Sequence, residues 1–327
     1  MKFLKRFGIL LLALLCALPL FSSCKKNEEE ETVYYTVIFD SNGGSPVEQQ
    51  TVAAEEAVRE PTPPTREGYI FEGWRSEKGS FWNFSSDFVT EDMTLTAVWI
   101  DAGNIFYHEK IDGENSKKIT GVKKLYPTIA IPSIIDGFSV TAIGEGAFAE
   151  LSSKEVQAIT LPKTITSVGK GAFYECRDIA ITFDPRAKLT EIGESAFYGC
   201  NRLDKVRLGE GLTSIAPEAF FGCSSLEEVR LPKSLTSLAD NAFTDCTSLV
   251  SVMFHPELVE IGDSAFKDCT SLSALYFYGN EPQMTTLKNE TAKYNDCFLN
   301  ADVYFYSKTE TPGCWYLDDN DHPKLWK

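Results

Sequence analysis

Six Ala-Phe pairs place phenylalanines at Phe148, Phe173, Phe197, Phe220, Phe243 and Phe266, at intervals of 25, 24, 23, 23 and 23 residues. A chain that repeats at this interval gives every repeat one apolar face to bury, and that face is buried by stacking on the next repeat. Within each unit the template is C-x-x-L-x-x-V-x-L followed by L-x-x-I-x-x-x-A-F. The fourth rung shows it with Leu226, Val229, Leu231, Leu235, Leu238 and Phe243. Alternation at Val229 and Leu231 predicts a strand. The A-F-x-x-C segment, with Ala219 and Cys223 four residues apart, predicts one helical turn.

The fold class that follows is mostly β, a leucine-rich repeat solenoid of about 23-residue rungs. Two departures stand out. Leu151 occupies the place where the other rungs carry cysteine, and the second rung shortens the start of its strand while lengthening the following loop by two residues. Residues 101–130 carry no clear rung and are expected to form the N-terminal cap that a solenoid needs.

Cys176, Cys200, Cys223, Cys246 and Cys269 each lie three residues past the phenylalanine. A disulfide requires Cα atoms within about 7 Å and side chains facing each other. Stacked strands sit about 4.8 Å apart, but stacked helical turns need roughly 8–10 Å. A tetrahedral zinc site calls for C-x-x-C spacings, which are absent here. A nucleophilic cysteine needs a base and an electropositive setting, and five equivalent positions cannot be five active sites. Leucine replaces a packing residue, not a ligand, so Leu151 marks the five cysteines as small hydrophobes of the core. Cys297 and Cys314 stand outside the register, and a disulfide between them stays open.

The phrases IGESAFYGC, LPKSLTSL and CTSLVSV closely resemble the BspA-like leucine-rich repeat family. IAIPSIIDGFSVTAIGEGAF is similar to that family's first repeat, and DVYFYSKTETPGCWYLDDNDHPKLW to its closing segment. The resemblance spans residues 101–327. Upstream, residues 34–100 carry FDSNGG, PTPPTREGYIFEGW and LTAVW, which resemble the internalin-type B repeat, a small β-grasp domain. There the Asn-Gly pair predicts a two-residue hairpin, TLTAVW a closing strand, and Trp74 and Trp99 core positions rather than sugar platforms.

Residues 1–23 read as a signal peptide, with Lys2, Lys5 and Arg6 ahead of an apolar run too short to span a bilayer. LFSSC resembles a lipoprotein lipobox with Phe21 in place of the usual Leu or Val, which implies lipidation at Cys24. The polar run 24–33 is expected to be a tether. Lys25 in place of Asp, followed by acidic residues, resembles a surface-export signal, so the expected location is the outer membrane, lipid-anchored and facing outward.

A net charge of −16 excludes nucleic acid as a natural partner and disfavours docking on anionic lipid through protein charge. Any membrane contact is therefore expected through the N-terminal lipid alone. Three histidines, no nucleophile-elbow serine and no H-E-x-x-H leave no catalytic constellation, so no enzyme, cofactor or metal is expected. Period-2 alternation predicts an exposed row on the sheet: Thr160, Thr182, Arg207, Arg230, Met253 and Tyr276. His255 and Tyr278 follow one place later, and Tyr304 and Tyr306 extend the face. Arginine and tyrosine are enriched at binding hot spots, although cross-strand tyrosines also serve simply to stabilise a sheet. The expected ligand-binding residues are thus Arg207, Arg230, Met253, His255, Tyr276, Tyr278, Tyr304 and Tyr306. BspA-like resemblance implies an adhesin for a host matrix or cell-surface protein of the fibronectin or fibrinogen type. A glycan-binding accessory of a polysaccharide-uptake system is the alternative.

Overall fold

The computed structural model describes residues 32–290, 293–318 and 323–326. The expected signal peptide, Cys24 and most of the tether lie outside the described residues. From Tyr34 the chain builds a four-stranded sheet: β1 (Tyr34–Asp40), β2 (Gln50–Ala53), β3 (Tyr69–Ser76) and β4 (Met93–Asp101), in the order β2-β1-β4-β3. β1 and β4 run parallel in the middle, and the outer strands are antiparallel to them. Asn42 and Gly43 do adopt positive φ, 46° and 85°, and Gly44 N–H closes the turn on the Ser41 carbonyl. That turn does not join the strands directly, as the sequence led us to expect. Five further residues, 45–49, follow it before β2, and Gly44 passes so close to the Trp99 ring that a Cβ would sit 2.5 Å from it. Trp74 is buried, and the Trp99 indole N–H donates to the Ser41 carbonyl at 3.0 Å.

β4 leads through a 3-10 turn into the antiparallel hairpin of β5 (Phe106–Lys110) and β6 (Ser116–Val122). β7 (Thr128–Ala130), β8 (Ile134–Ile135) and β9 (Phe138–Ile143) follow as an entry rung that carries the Phe148 turn and precedes the rungs numbered from Phe173 onward. Two strands per rung then recur: β10 (Ala158–Leu161) with β11 (Ser167–Val168), and β12 (Ala180–Phe183) with β13 (Glu191–Ile192). The third rung contributes β14 (Ser214–Ile215) alone. β15 (Glu228–Arg230) with β16 (Ser237–Leu238) and β17 (Ser251–Phe254) with β18 (Glu260–Ile261) resume the pattern. β19 (Ala274–Phe277), α1 (Glu281–Glu290), α2 (Asp296–Asn300), β20 (Asp302–Phe305), β21 (Trp315–Leu317) and β22 (Pro323–Leu325) end the chain. The small sheet abuts the solenoid directly. Ala102 N–H donates to the Gly68 carbonyl, Ser133 N–H to Glu67 Oε1, and Lys124 pairs with Glu72 at 3.3 Å.

The Ala-Phe segments are not helical. The residue before each pair is left-handed: Gly146, Gly171, Ser195, Glu218, Asn241 and Ser264 have φ between 52° and 61°. A second left-handed residue precedes each cysteine, as at Gly222 (φ 69°) and Asp245 (φ 59°). An L-residue helix cannot hold these angles, so the segment becomes successive turns that leave alternate N–H groups free to bond to the next rung. Phe220 N–H reaches the Ala242 carbonyl at 2.9 Å, and Gly222 N–H the Thr244 carbonyl at 2.8 Å. This edge therefore stacks at strand spacing instead of the wider spacing of helices. The rings from Phe148 to Phe266 lie 5.1–5.5 Å apart with tilts of 4–8°.

Five cysteines sit wholly buried and free beside that column. Each thiol donates to the phenylalanine carbonyl one rung upstream, at 2.9–3.3 Å. Burial pushes the Cys176 thiol up to about 12, so it stays protonated and able to donate. Cys297 and Cys314 are free thiols as well. At the far end Asn295, fully buried, takes the place of the missing next rung. Its Oδ1 accepts from Phe266 N–H and its Nδ2 donates to the Gly262 carbonyl, while Phe298 stacks on Phe266 at 5.0 Å.

Candidate binding site on the concave face

The exposed row expected from the sequence splits in two. Thr160 and Thr182 pair in register with hydroxyls 3.1 Å apart in the sheet β12-β10-β7. Arg230, Met253, Tyr276 and Tyr304 pair in register in a separate sheet, β15-β17-β19-β20. Arg207 belongs to neither, because the third rung forms no concave strand.

The cause is visible in the second rung. Ile179 and Ile181 are separated by one residue, where Leu226 and Val229 of the fourth rung are separated by two. The loop from Phe183 to Leu189 then runs two residues longer than the equivalent Leu231 to Leu235. β12 itself keeps register with β10, Ile181 opposite Ile159, so the slip falls after it, at the longer loop. The third rung instead meets the second through a Leu189–Leu208 bridge, with Leu189 N–H donating to the Arg207 carbonyl at 3.0 Å. The Ala-Phe edge runs on without interruption, Phe197 N–H bonding to the Ala219 carbonyl at 2.9 Å. The strand rows β10–β12 and β15–β20 are thus separated, as are β13 and β14, while the Ala-Phe edge stays continuous.

A cleft of about 620 Å³ occupies the opening. Pro185, Ala187, Val206 and Leu208 supply its apolar surface. Lys188, Lys205, Arg207 and Arg230 face it, against the carboxylates of Asp204, Glu227 and Glu228. Arg230 is paired with Glu228 on its own strand at 2.6 Å. Lys188, Lys205 and Arg207 form no ion pair among the described residues. Apart from the Arg230–Glu228 pair, the lining thus holds three cations and two carboxylates, a small local positive excess on a chain of net charge −16. Of these residues the sequence reading contained Arg207 and Arg230 only. The one-residue excess in the interval from Phe173 to Phe197 was the available signal for the rest.

The aromatic end of the face is arranged differently. His255 lies flat on Tyr278, with centroids 4.1 Å apart and planes 3° apart, and Tyr278 is 4.9 Å from Tyr306. Tyr276 stacks on Tyr304 at 5.7 Å. Trp315, wholly buried, meets Tyr276, Tyr278 and Tyr306 edge-on at 4.7–5.4 Å. The closing segment thus folds over the tyrosines and engages rings that the sequence left open. Burial lowers the proton affinity of His255 and raises that of Tyr276. Met253, expected on the surface, is only 5% exposed. It sits in register between Arg230 and Tyr276, two long side chains that flank it.

Among the described residues no group of three or more metal-ligating side chains is placed to hold an ion, and no helix is long and apolar enough to cross a membrane.

Stacked parallel rungs with a concave ladder and a turn-built outer edge define a leucine-rich repeat protein, a class whose members are typically binding proteins. Residues 123–216 and 190–301 match the BspA type leucine rich repeat region in six copies, and the chain belongs to that family. Residues 35–98 match the Listeria-Bacteroides repeat domain. Internalin H of Listeria monocytogenes is 50% identical over 50 residues, 14% of this chain and 9% of that protein. A putative Gly-rich membrane protein of Evansella cellulosilytica is 48% identical over 44 residues, 13% of this chain and 5% of the other. The chain thus matches only a small part of these relatives' length. Among solved structures, the leucine-rich repeat protein of T. pallidum has 20% identity and a TM-score of 0.42, covering 61% of this chain and 98% of that one. A leucine-rich cell surface protein of Faecalibacterium prausnitzii has 24% identity and a TM-score of 0.42, covering 67% and 58%.

Proposed function

We propose that this chain is a lipid-anchored adhesin that binds a protein of the host matrix or of another cell's surface along its concave face. The observation that carries the reading is the cleft at the third rung. It combines an apolar floor, unpaired cations and a volume within the usual range for binding clefts, roughly 300–1,000 Å³. Family membership and the relatives described as membrane proteins support a surface location. LFSSC supports anchoring through Cys24. The tyrosine end contributes a stiffened boundary, its rings being engaged with one another and with Trp315. That engagement also weakens the glycan alternative, which needs open aromatic faces.

The test is binding of the purified full chain to immobilised fibronectin, fibrinogen and whole matrix extract, beside a Lys205→Glu/Arg207→Glu variant. Saturable binding weakened at least tenfold in the variant is the expected result. Binding by the variant equal to that of the parent would remove the cleft from the reading. For the anchor, Cys24→Ala is expected to move the protein from the membrane fraction to the medium, and protease treatment of intact cells to degrade the parent.

A further inference from the structure

The break in the ladder leaves backbone as well as side chains without partners. β12 pairs only with β10, and β15 only with β17, so both are edge strands facing the third rung from either side. On β15, the Glu227 carbonyl and Leu231 N–H bond to the β17 side. Alternate residues of a parallel strand turn their main-chain groups to opposite neighbours. Glu228 and Arg230 therefore direct theirs toward the cleft, where the third rung would ordinarily receive them. The N–H groups of Asp204, Lys205, Val206 and Arg207 bond to no protein group either. Folded proteins pair nearly all such groups unless water or a ligand reaches them.

An unpaired strand edge is a template for another extended chain. Natural proteins close such edges unless they use them. Here the Ala-Phe edge holds the two halves in line while the concave edge stays open, so the gap is built into the fold. Lys188, Lys205 and Arg207 stand at its margin outside any ion pair and outnumber the unpaired carboxylates Asp204 and Glu227, and Val206 and Leu208 supply apolar floor.

From these observations we infer that the third-rung cleft takes an extended peptide segment of the partner, one that bears acidic side chains and adds as a strand to the open edge of β15. The inference rests on the reading of the concave face as a protein-binding surface and names the chemistry it recognises. Main-chain bonds to Glu228 and Arg230 hold the segment, which gives affinity with little sequence demand. Carboxylates on alternate positions reach Lys188, Lys205 and Arg207, which selects acidic segments. A polysaccharide lacks the alternating N–H and C=O groups that this edge pairs with, so the backbone pattern favours a peptide.

The experiment titrates the full chain with three labelled eight-residue peptides, read by fluorescence anisotropy. One alternates valine and glutamate, the second is the same peptide N-methylated throughout, and the third alternates valine and lysine. The first is expected to bind, and the other two to bind at least tenfold more weakly. Amide exchange at residues 204–207 and 228–230 should slow on binding. Equal binding of all three peptides, binding with no slowed exchange, no binding of the first peptide, or equally tight binding of an oligogalacturonate each overturns the inference. Arg230→Pro removes one N–H from the cleft side of an edge strand, where proline is tolerated. It should weaken the acidic peptide at least tenfold with an unchanged circular dichroism spectrum. If Arg230→Pro does not fold, the N-methylated peptide carries the same comparison. A chain that still captures matrix protein while failing these peptide tests keeps the concave-face reading and loses this inference alone.

Discussion

The thiol of Cys223 donates to the carbonyl of Phe197, one rung upstream, at 3.3 Å. The same bond joins Cys200 to Phe173 and Cys246 to Phe220, so the cysteine column is a row of buried donors as well as packing residues. It also explains Leu151. No Ala-Phe turn precedes that of Phe148, so a thiol at position 151 would have no equivalent carbonyl to meet. Cys223→Ala is expected to lower stability by about 1–2 kcal/mol, from the lost thiol bond and a small cavity, since Cys200 N–H still reaches the Phe197 carbonyl at 3.2 Å. Leu151→Cys should gain nothing. Urea titration of both variants checks the pair.

Glu150 holds a left-handed conformation, φ 57°, at the place where later rungs carry Gly199 and Gly222. A non-glycine residue there costs roughly 1–2 kcal/mol, partly offset by the greater freedom of glycine in the unfolded chain. Glu150→Gly should therefore stabilise the protein by about 0.5–1 kcal/mol. A rise in melting temperature is the readout; a fall would contradict this account of the turns.

Asn295 closes the solenoid by accepting the Phe266 N–H that a further rung would otherwise receive, and its Nδ2 also donates to the Gly262 carbonyl. Asn295→Ala leaves the Phe266 N–H without its partner while the Gly262 carbonyl keeps the Ala265 N–H at 3.4 Å, at a cost of about 1–3 kcal/mol for the one orphaned buried group. Hydrogen exchange should quicken first at residues 262–269, with the early rungs unaffected.

Trp315 fills the space above Tyr276, Tyr278 and Tyr306. Trp315→Ala is expected to cost about 3–5 kcal/mol and to expose the tyrosines, which solvent-perturbation absorbance would detect. If the aromatic end binds ligand in its own right, this variant binds more; if the cleft alone binds, affinity is unchanged.

Burial holds the folded-state pKa of His255 below its unfolded value of about 6.5. The unfolded chain therefore takes up the proton first as pH falls. The stability that neutral His255 contributes is complete above that unfolded value, declines as pH drops below it, and is fully lost beneath the folded pKa. His255→Phe, which keeps a flat ring on Tyr278, should flatten the melting-temperature profile on the acid side of pH 6.5.

Much of this protein was legible as a string of letters. The rungs follow from the spacing of six phenylalanines, and Leu226, Val229, Leu231, Leu235 and Leu238 are buried as their periods require. Periodicity encodes which face is apolar, and burial of that face drives the stacking. At Ala-Phe-x-x-Cys a spacing of four fits both a helix and a series of turns, and the chain forms turns where the spacing predicts a helical turn. Only the φ of Glu218, Asn241 and their equivalents tells the two apart. That difference sets the rung spacing, and with it the thiol-to-carbonyl bonds.

The sequence by itself determined the repeat, the core and the family, since each is written in local pattern. Tertiary structure alone decided which exposed residues meet. Met253 is hidden between its register partners, Trp315 arrives from 37 residues beyond Tyr278 to cover the tyrosines, and Lys188 joins Lys205 and Arg207 across a slipped ladder. Each depends on the register between rungs. Register is a property of hydrogen bonds between distant segments, and it changes only beyond the lengthened loop from Phe183 to Leu189.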